Sequence, residues 1–319
     1  MAGRRLRHEE YTVGWVCALP IELAAAQEML DVEHEQLQDG DTIYTLGQVG
    51  EHNVVIAGLP GGQTGTASAA VIAQRMRAAF PSIRIGLLVG IGGGVPSEEA
   101  DIRLGDVVIS KPHNVHGGVV QYDFGKATPS GFKRTGLLNT PPAILLNAVT
   151  NLEANHIRGR CKLSDYFSKL NRLPAFARAA AGPDMLFNAE YNHEGGATCE
   201  KCDKDNSVSR EPRGQVVVHY GTIASGNQVM RDGIERDRVS AELGGVLCFE
   251  MEAAGLMNSF PCLVIRGICD YADSHKNKKW QPYAAGTAAA CTKEMLSVIP
   301  LAEVAKARTV DETIKETSG

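Results

Sequence analysis

The sequence predicts a single α/β domain built around a central sheet. Three observations carry this. Residues 12–19, 85–89 and 262–268 are apolar without alternation, the pattern of strands buried on both faces. Segments of helical spacing separate these strands along the chain, as a doubly covered sheet requires. Glycine-rich turns follow two of the strands, at 61–66 and 90–96, where backbone amides can approach a ligand closely. The chain has 319 residues, 44% hydrophobic and 22% charged, enough for a full core without staples.

In chain order, Thr12–Leu19 reads as a buried strand. Pro20 then opens a helix from Ile21 to Leu30, a position that suits proline. Strands are expected at Thr42–Val49 and Asn53–Leu59 across a Gly50-Glu51-His52 turn. A helix follows at Ala67–Phe80, then a strand at Ile85–Val89 leading into the glycine-rich loop. Gly105–Ser110 and Val119–Phe124 read as strands and Pro141–Asn155 as a helix. From 161 to 213 the pattern turns polar and punctuated, which suggests an insertion with one or two short helices. Regular alternation resumes with a strand at Gln215–Ala224 and a helix at Arg231–Leu243. A strand near Gly245–Phe249, a helix at Glu252–Ser259, the 262–268 strand and a helix at Gln281–Val298 complete it. The charged tail after residue 301 is expected to fray. The expected organisation is one domain over 1–319 with no internal repeat.

Charge and cysteine usage narrow the function classes. Net charge is −5, which offers nothing to attract nucleic acid. The basic start, Arg4-Arg5-Leu6-Arg7-His8, is short and lacks the apolar stretch of a secretory signal. No apolar run approaches the ~20 residues of a membrane-spanning helix. Of eight cysteines, five sit in apolar contexts, as free thiols do in a reducing compartment. The cytosol is the expected location.

Three segments put acids at the ends of buried strands: Ala18-Leu19-Pro20-Ile21-Glu22, Cys248-Phe249-Glu250-Met251-Glu252, and Arg266-Gly267-Ile268-Cys269-Asp270. Glu22 lies where a strand meets a helix N-terminus, the usual ligand position in open α/β sheets. Singly, each acid has an ordinary explanation. The helix dipole favours Glu22, and a turn cap would suit Asp270. Glu250 and Glu252 are less easily dismissed, because acids in an apolar stretch need partners.

Together these segments resemble the nucleoside phosphorylase superfamily, in the branch that handles purine nucleosides and includes methylthioadenosine/S-adenosylhomocysteine nucleosidase. The resemblance runs from about Val13 to Val298. It rests on the glycine run Val89–Gly94, Leu104-Gly105-Asp106-Val107-Val108, Ala224-Ser225-Gly226-Asn227, Glu250-Met251-Glu252 and Arg266–Asp270. The chain also looks like the domain of this type at the N-terminus of fungal NLR-like receptors, on the insertion with Tyr191-Asn192-His193 and Cys199-Glu200-Lys201-Cys202. The fold this implies is a three-layer α/β/α sandwich with a mixed, partly closed central sheet.

The resemblance also implies roles. Asp270 matches a general acid that donates to purine N7, and Glu252 a carboxylate that accepts from both ribose hydroxyls. Met251 matches a residue packed on the sugar, with a plain core role as the alternative. Gly92, Gly93, Asn227, Gln228, Val229, Met230, Arg266 and Cys269 fall at substrate-contact positions. Glu22 matches the glutamate that activates water in the nucleosidase branch. Many phosphorylases have arginine and serine at the places of Leu88 and Ile91, neither of which can bind phosphate through its side chain. Arg266 remains as one cation near the site. These readings imply a purine ribonucleoside hydrolase without a cofactor and, on family analogy, a homodimer. The alternatives are a purine nucleoside phosphorylase and a non-catalytic nucleoside sensor.

Three departures from the nucleosidase pattern bear on substrate. Cys269 replaces a serine, Asn227 an aspartate, and Val229 an aromatic that would stack on the base. They argue against methylthioadenosine and for a plain ribonucleoside, with Asn227 or Gln228 reading the base edge. Tyr122, Asp123, Phe124, His113 and His116 lie where the family's 5′-end contacts arise. Cys199-x-x-Cys202, with His193 six residues earlier, suggests a metal knuckle short of one ligand, which Cys161 could supply. The alternative is an insertion held by packing alone, and no metal is assigned.

Overall fold

The structure, a computed structural model, describes residues 5–37 and 42–317. The start of the basic segment, up to Arg4, and the last two residues of the tail lie outside that range. In chain order the elements are β1 (Val13–Cys17), α1 (Pro20–Glu28), β2 (Val32–Glu33), β3 (Tyr44–Val49), β4 (His52–Gly58), α2 (Thr66–Ala79), β5 (Ile85–Gly94), β6 (Val107–Ser110) and β7 (Val119–Gln121). A hairpin of β8 (Gly125–Thr128) and β9 (Gly131–Arg134) precedes α3 (Ala143–Ile157), α4 (Leu163–Leu170) and α5 (Arg178–Ala181). Then come β10 (Val218–Gly221), β11 (Ile223–Ser225), α6 (Gly233–Glu242), β12 (Cys248–Glu250), α7 (Ala253–Leu256), β13 (Leu263–Asp270), α8 (Gln281–Ser297), α9 (Leu301–Lys306) and α10 (Val310–Thr317).

The main sheet runs β10-β6-β13-β5-β1-β4-β3-β2. At its centre β4, β1, β5 and β13 are parallel neighbours. All five residues of β1 and all eight of β13 are buried, as apolar runs without alternation predict. The far end of β5 curls to pair antiparallel with β12, which continues through β11 to β7 and partly closes the sheet. One apolar cluster packs beneath α1, α3, α4 and α8, and a second packs on the opposite face with α2 and α7. That is the three-layer α/β/α arrangement.

Four local differences from the sequence reading have physical causes. The run Gly90–Gly94 is not a loop but the continuation of β5. A side chain at Gly93 would put Cβ 2.7 Å from Asp270 Oδ1, and one at Gly90 would overlap Glu22 Oε1 and Arg266 Nη1. The glycines therefore let neighbouring side chains cross the strand surface. The 215–224 segment is two strands split at Thr222, β10 on β6 and β11 on β12 and β7. The β8–β9 hairpin is exposed and has no apolar face to betray it. Instead of fraying, residues 301–317 carry α9 and α10, because Val310 is buried and its amide bonds to the Ile83 carbonyl (2.8 Å). Among the described residues no helix is long and apolar enough to cross a membrane.

Candidate active site

The ends of β1, β5, β12 and β13 converge on one cleft. Its walls include Glu22, Ile91, Gly92, Gly93, Phe249, Glu250, Met251 and Glu252, with Gln228, Val229, Met230, Cys269, Ala272 and Lys276 around them. The structure thus brings ten of the twelve sequence-derived site residues to one place, counting Arg266 through its contacts. Asn227 and Asp270 are the two that do not border it.

Glu22 sits in the first turn of α1. Its Oε2 accepts from the amides of Ala18 (2.7 Å) and Leu19 (2.9 Å), and its Oε1 from Ile91 N (2.8 Å). The first two bonds satisfy donors left over at a helix start. The third ties the carboxylate to β5. Burial raises its pKa, against the lowering pull of Arg266 and these amides. Helix capping and a cleft position coexist in one residue.

Arg266 on β13 lies opposite Gly90 in the register and is 1% exposed. Its Nη2 binds Glu250 and reaches Glu252 Oε2 at 3.3 Å. Burial alone would lower its pKa, but Glu250, Glu252 and Glu22 outweigh that and raise it. Glu250 is a second structural partner that the sequence left ambiguous. It accepts from the amides of Glu252 (3.1 Å) and Ala253 (3.0 Å), so it caps α7 while neutralising Arg266. Glu252 keeps looser contacts, to Gly65 N at 3.2 Å and Arg266. Burial pushes its carboxyl up to about 7, with Arg266 opposing and Glu250 and Glu22 adding to the rise.

Asp270 ends β13. The pairing with β5 slips between Ile268 and Asp270, leaving Cys269 as the extra residue of a bulge. Bulges re-aim side chains beside sites. Here Asp270 Oδ1 accepts from Ala272 N (2.9 Å), and Ala272 holds the left-handed φ of +52° that this tight turn needs. A non-glycine residue in that region costs roughly 1–2 kcal/mol. The Cys269 thiol donates to Oδ2 (3.1 Å), and Lys276 Nζ pairs with the same oxygen at 2.9 Å. Burial would lower the Lys276 pKa, but the Asp270 carboxylate outweighs it and raises it. Asp270 borders a second cavity, while Lys276 borders the first together with Gly93, Cys269 and Ala272, the residues packed around the Asp270 carboxylate. The acid therefore lies in the wall between the two cavities, with its ammonium partner on the side of the cleft. No sequence reading named Lys276, because Lys276-Asn277-Lys278-Lys279 looks like a solvated surface run.

Asn227 faces away. Its carboxamide oxygen accepts from Thr66 N (3.2 Å) and Thr66 Oγ1 (3.0 Å), and its backbone N–H donates to Asp123 Oδ2 (2.6 Å). It anchors a loop instead of reading a base. Tyr122 and Asp123 brace the same loop, Tyr122 through its hydroxyl to Gln228 O (2.8 Å). His113 and His116 pair with each other through the backbone, away from the cleft, and Phe124 is exposed beside them. Val229 brings no ring to the cleft, but Phe249 lines it, its ring meeting Tyr122 edge-on at 5.4 Å. Cys161 is not near Cys199 and Cys202. It lies against Glu294 and His156, fixed by the 163–170 helix.

The family pattern extends over almost the whole chain: the phosphorylase superfamily matches residues 12–297. A nucleotide-binding leucine-rich repeat (NLR)-like protein of Hyaloscypha variabilis is 46% identical over 308 residues, 92% of this chain and 30% of that protein. A 5′-methylthioadenosine/S-adenosylhomocysteine nucleosidase of Mycobacterium bovis is 26% identical, covering 91% of this chain and 97% of the enzyme. An ATP nucleosidase, Cap17, of Escherichia coli is 24% identical over 92% of this chain and 52% of its own length. The chain thus spans less than a third of the NLR-like relative and about half of Cap17. Among solved structures, futalosine hydrolase of Helicobacter pylori aligns with a TM-score of 0.60 at 18% identity, over 91% of this chain and 99% of that one. Buried acids at strand ends, a glycine strand that leaves room for them and a match across the whole sheet lead to one conclusion: the chain is a member of the phosphorylase superfamily.

Proposed function

We infer that the chain uses water to cleave the N-glycosidic bond of a purine ribonucleoside. The observation that carries this is the charge balance at the end of β5. Arg266 is already committed to Glu250 and Glu252, and Glu22 stands beside it over Gly90. A phosphate dianion there would meet Glu22, Glu250 and Glu252, while the two cations described at the cleft, Arg266 and Lys276, are already paired with Glu250 and Glu252 and with Asp270. Leu88 is fully buried and Ile91 is apolar, so neither helps it. Water meets no such penalty, and Glu22, with its pKa raised by burial, is a better base than an exposed glutamate.

The remaining roles follow from position. Glu252 has capacity to accept from the ribose hydroxyls, with Met251 against the sugar. Gly92, Gly93, Phe249 and Cys269 flank the base, and Gln228, Val229 and Met230 border it. Arg266 orients the two glutamates. As the bond breaks, the base gains electrons. The proton for N7 comes from the Lys276 ammonium: the Asp270 carboxylate paired with it accepts that proton and hands it on to N7. Glu22 takes a proton from water, and the oxygen bonds to C1′. The similarity to Cap17 over 92% of the chain favours a second reading of the same chemistry, with a purine nucleotide in place of the free nucleoside. The expected assembly is a homodimer, for which the exposed Val115, Phe124 and Leu137 offer an apolar face. Eight free cysteines fit a reducing, cytosolic setting.

The test is to incubate the protein with adenosine, inosine, guanosine and ATP, with and without phosphate, and to separate the products. Free base with free sugar in the absence of phosphate is expected. Ribose 1-phosphate formed only when phosphate is present would sink the hydrolase reading. Binding without base release would leave a sensor.

A further inference from the structure

Cys199 and Cys202 take no part in the chemistry above, yet they lie together beside two histidines. Cys202 Sγ lies 3.2 Å from His193 Nδ1, and Cys199 Sγ lies 3.8 Å from the same nitrogen. His275, which follows β13, brings a ring nitrogen within 4.8 Å of the ligand atoms of both His193 and Cys202. Cys199 Sγ is 3.9 Å from the His275 carbonyl oxygen, beside the group of His193, Cys202 and His275 whose ligand atoms all lie within 4.8 Å of one another. In a tetrahedral zinc site with two thiolates and two imidazoles, ligand atoms are separated by about 3.3–3.8 Å, from bond lengths of about 2.0 and 2.3 Å.

His275 supplies the second, independent observation. It is 8% exposed, and neither ring nitrogen has a hydrogen-bond partner among the described residues. Buried polar atoms without partners are rare and costly. The ring is held flat on Phe187, with centroids 4.1 Å apart at 15°, which fixes the direction of its nitrogens. Asp273 Oδ2 lies 3.5 Å from its Nδ1, in the place of the outer carboxylate that usually accompanies a ligating histidine.

We propose that His193, Cys199, Cys202 and His275 form a structural zinc site that closes on the polar insertion. On binding, two thiols release their protons and two neutral imidazoles coordinate, giving a complex with no net charge at the metal. Four protein ligands leave no open position for a catalytic water. The site joins the insertion to the turn after β13 and pins His275, the neighbour of Lys276. The other cluster, His156, Cys161 and Glu294, makes no comparable site. Its histidine is bonded by Tyr220 (2.8 Å), its glutamate accepts from Lys162 N (2.6 Å), and it has no fourth ligand.

The test is metal analysis of tag-free protein purified under reducing conditions without chelator. About one zinc per chain is expected for a four-ligand site. A chelator should remove it and lower the melting temperature, and added zinc should restore both. Cys202→Ser and His275→Gln should lose the zinc, Cys161→Ser should keep it, and Asp273→Asn should weaken affinity by about 10–100-fold. If the cysteine variant fails to fold, cobalt substitution of the unaltered protein decides, since tetrahedral thiolate coordination has a distinctive visible spectrum. Only traces of zinc with no stabilisation on adding it, a Cys199–Cys202 disulfide in the reduced preparation, or full zinc retention by His275→Gln would overturn the site.

Discussion

The strand-end cleft and the polar insertion hold their charged groups in opposite ways. In the cleft, Glu22, Glu250, Glu252 and Arg266 are all at least 95% buried, and their positions come from strands that would form without them. In the insertion, ions do the fastening. Arg210 bonds Asp184 (3.0 Å), the Tyr271 hydroxyl (2.6 Å) and the Ile102 carbonyl (3.1 Å), and Arg213 clamps Asp106. Asp101, which both arginines approach, is half exposed. Apolar burial builds the first region and then spends part of its stability on enclosing charge. The second region also sends Leu163, Phe167, Leu170 and Phe176 into the core beneath the sheet, but around Asp184, Arg210 and Arg213 it is tied to the sheet by ion pairs and polar side chains. Salt should therefore loosen that part before it disturbs the cleft.

The largest effect should come from the cleft. Asp270→Asn keeps the shape and the Ala272 contact but cannot donate as an acid, and turnover should fall by about 10²–10⁴-fold, measured as base release. Near-normal turnover would detach Asp270 from the chemistry and leave the cleft as a binding site. A smaller effect concerns Glu252. Because burial raises its pKa to about 7, it takes up a proton as pH falls through neutrality, where an ordinary carboxylate stays charged. It then loses acceptor capacity for the ribose hydroxyls. kcat/KM should fall by up to about tenfold per pH unit below that point, and Glu252→Gln should flatten that limb. A profile level down to the normal carboxylate range would show that Glu252 is not a titrating partner. The smallest effect should lie in the insertion. Arg210→Ala removes hydrogen bonds to a charged group worth about 1.5–3 kcal/mol each at most, so thermal or denaturant unfolding should shift modestly and more at low salt than at high. A loss of stability that salt does not change would mean the arginine acts by packing.

The same contrast explains what was legible in the sequence. β1, β5 and β13 showed themselves as apolar runs, and acids at their ends were conspicuous because that company is expensive for charge. Glu22, Glu250 and Glu252 stood out on that basis, whereas Met251, Gly92 and Gly93 were placed by the resemblance to the superfamily. The partner of a buried charge is harder to see. Arg266 was visible near the acids, but not that Glu250, one residue before Met251, would take most of its charge. Lys276 sits in a lysine-rich stretch, and only the bulge at Cys269 and the turn at Ala272 bring it back to Asp270. Asn227 was assigned to the base edge by position along the chain. Its side chain instead finds Thr66, a residue far away in sequence whose helix start needs an acceptor. His275 was invisible for a similar reason: the Cys-x-x-Cys signal is local, and its completing side chain arrives from across the fold.

Gly90 constrains how this site can have changed over time. Any side chain there would collide with both the Glu22 carboxylate and the Arg266 guanidinium. Both are the ends of long side chains, so a residue added at this point of β5 requires them to move: Glu22 would have to leave the amides of Ala18, Leu19 and Ile91, and Arg266 its two glutamates. On the reading that Glu22 is the base, a new side chain at Gly90 would disturb that base in the same step, so changes at the two positions are expected to go together.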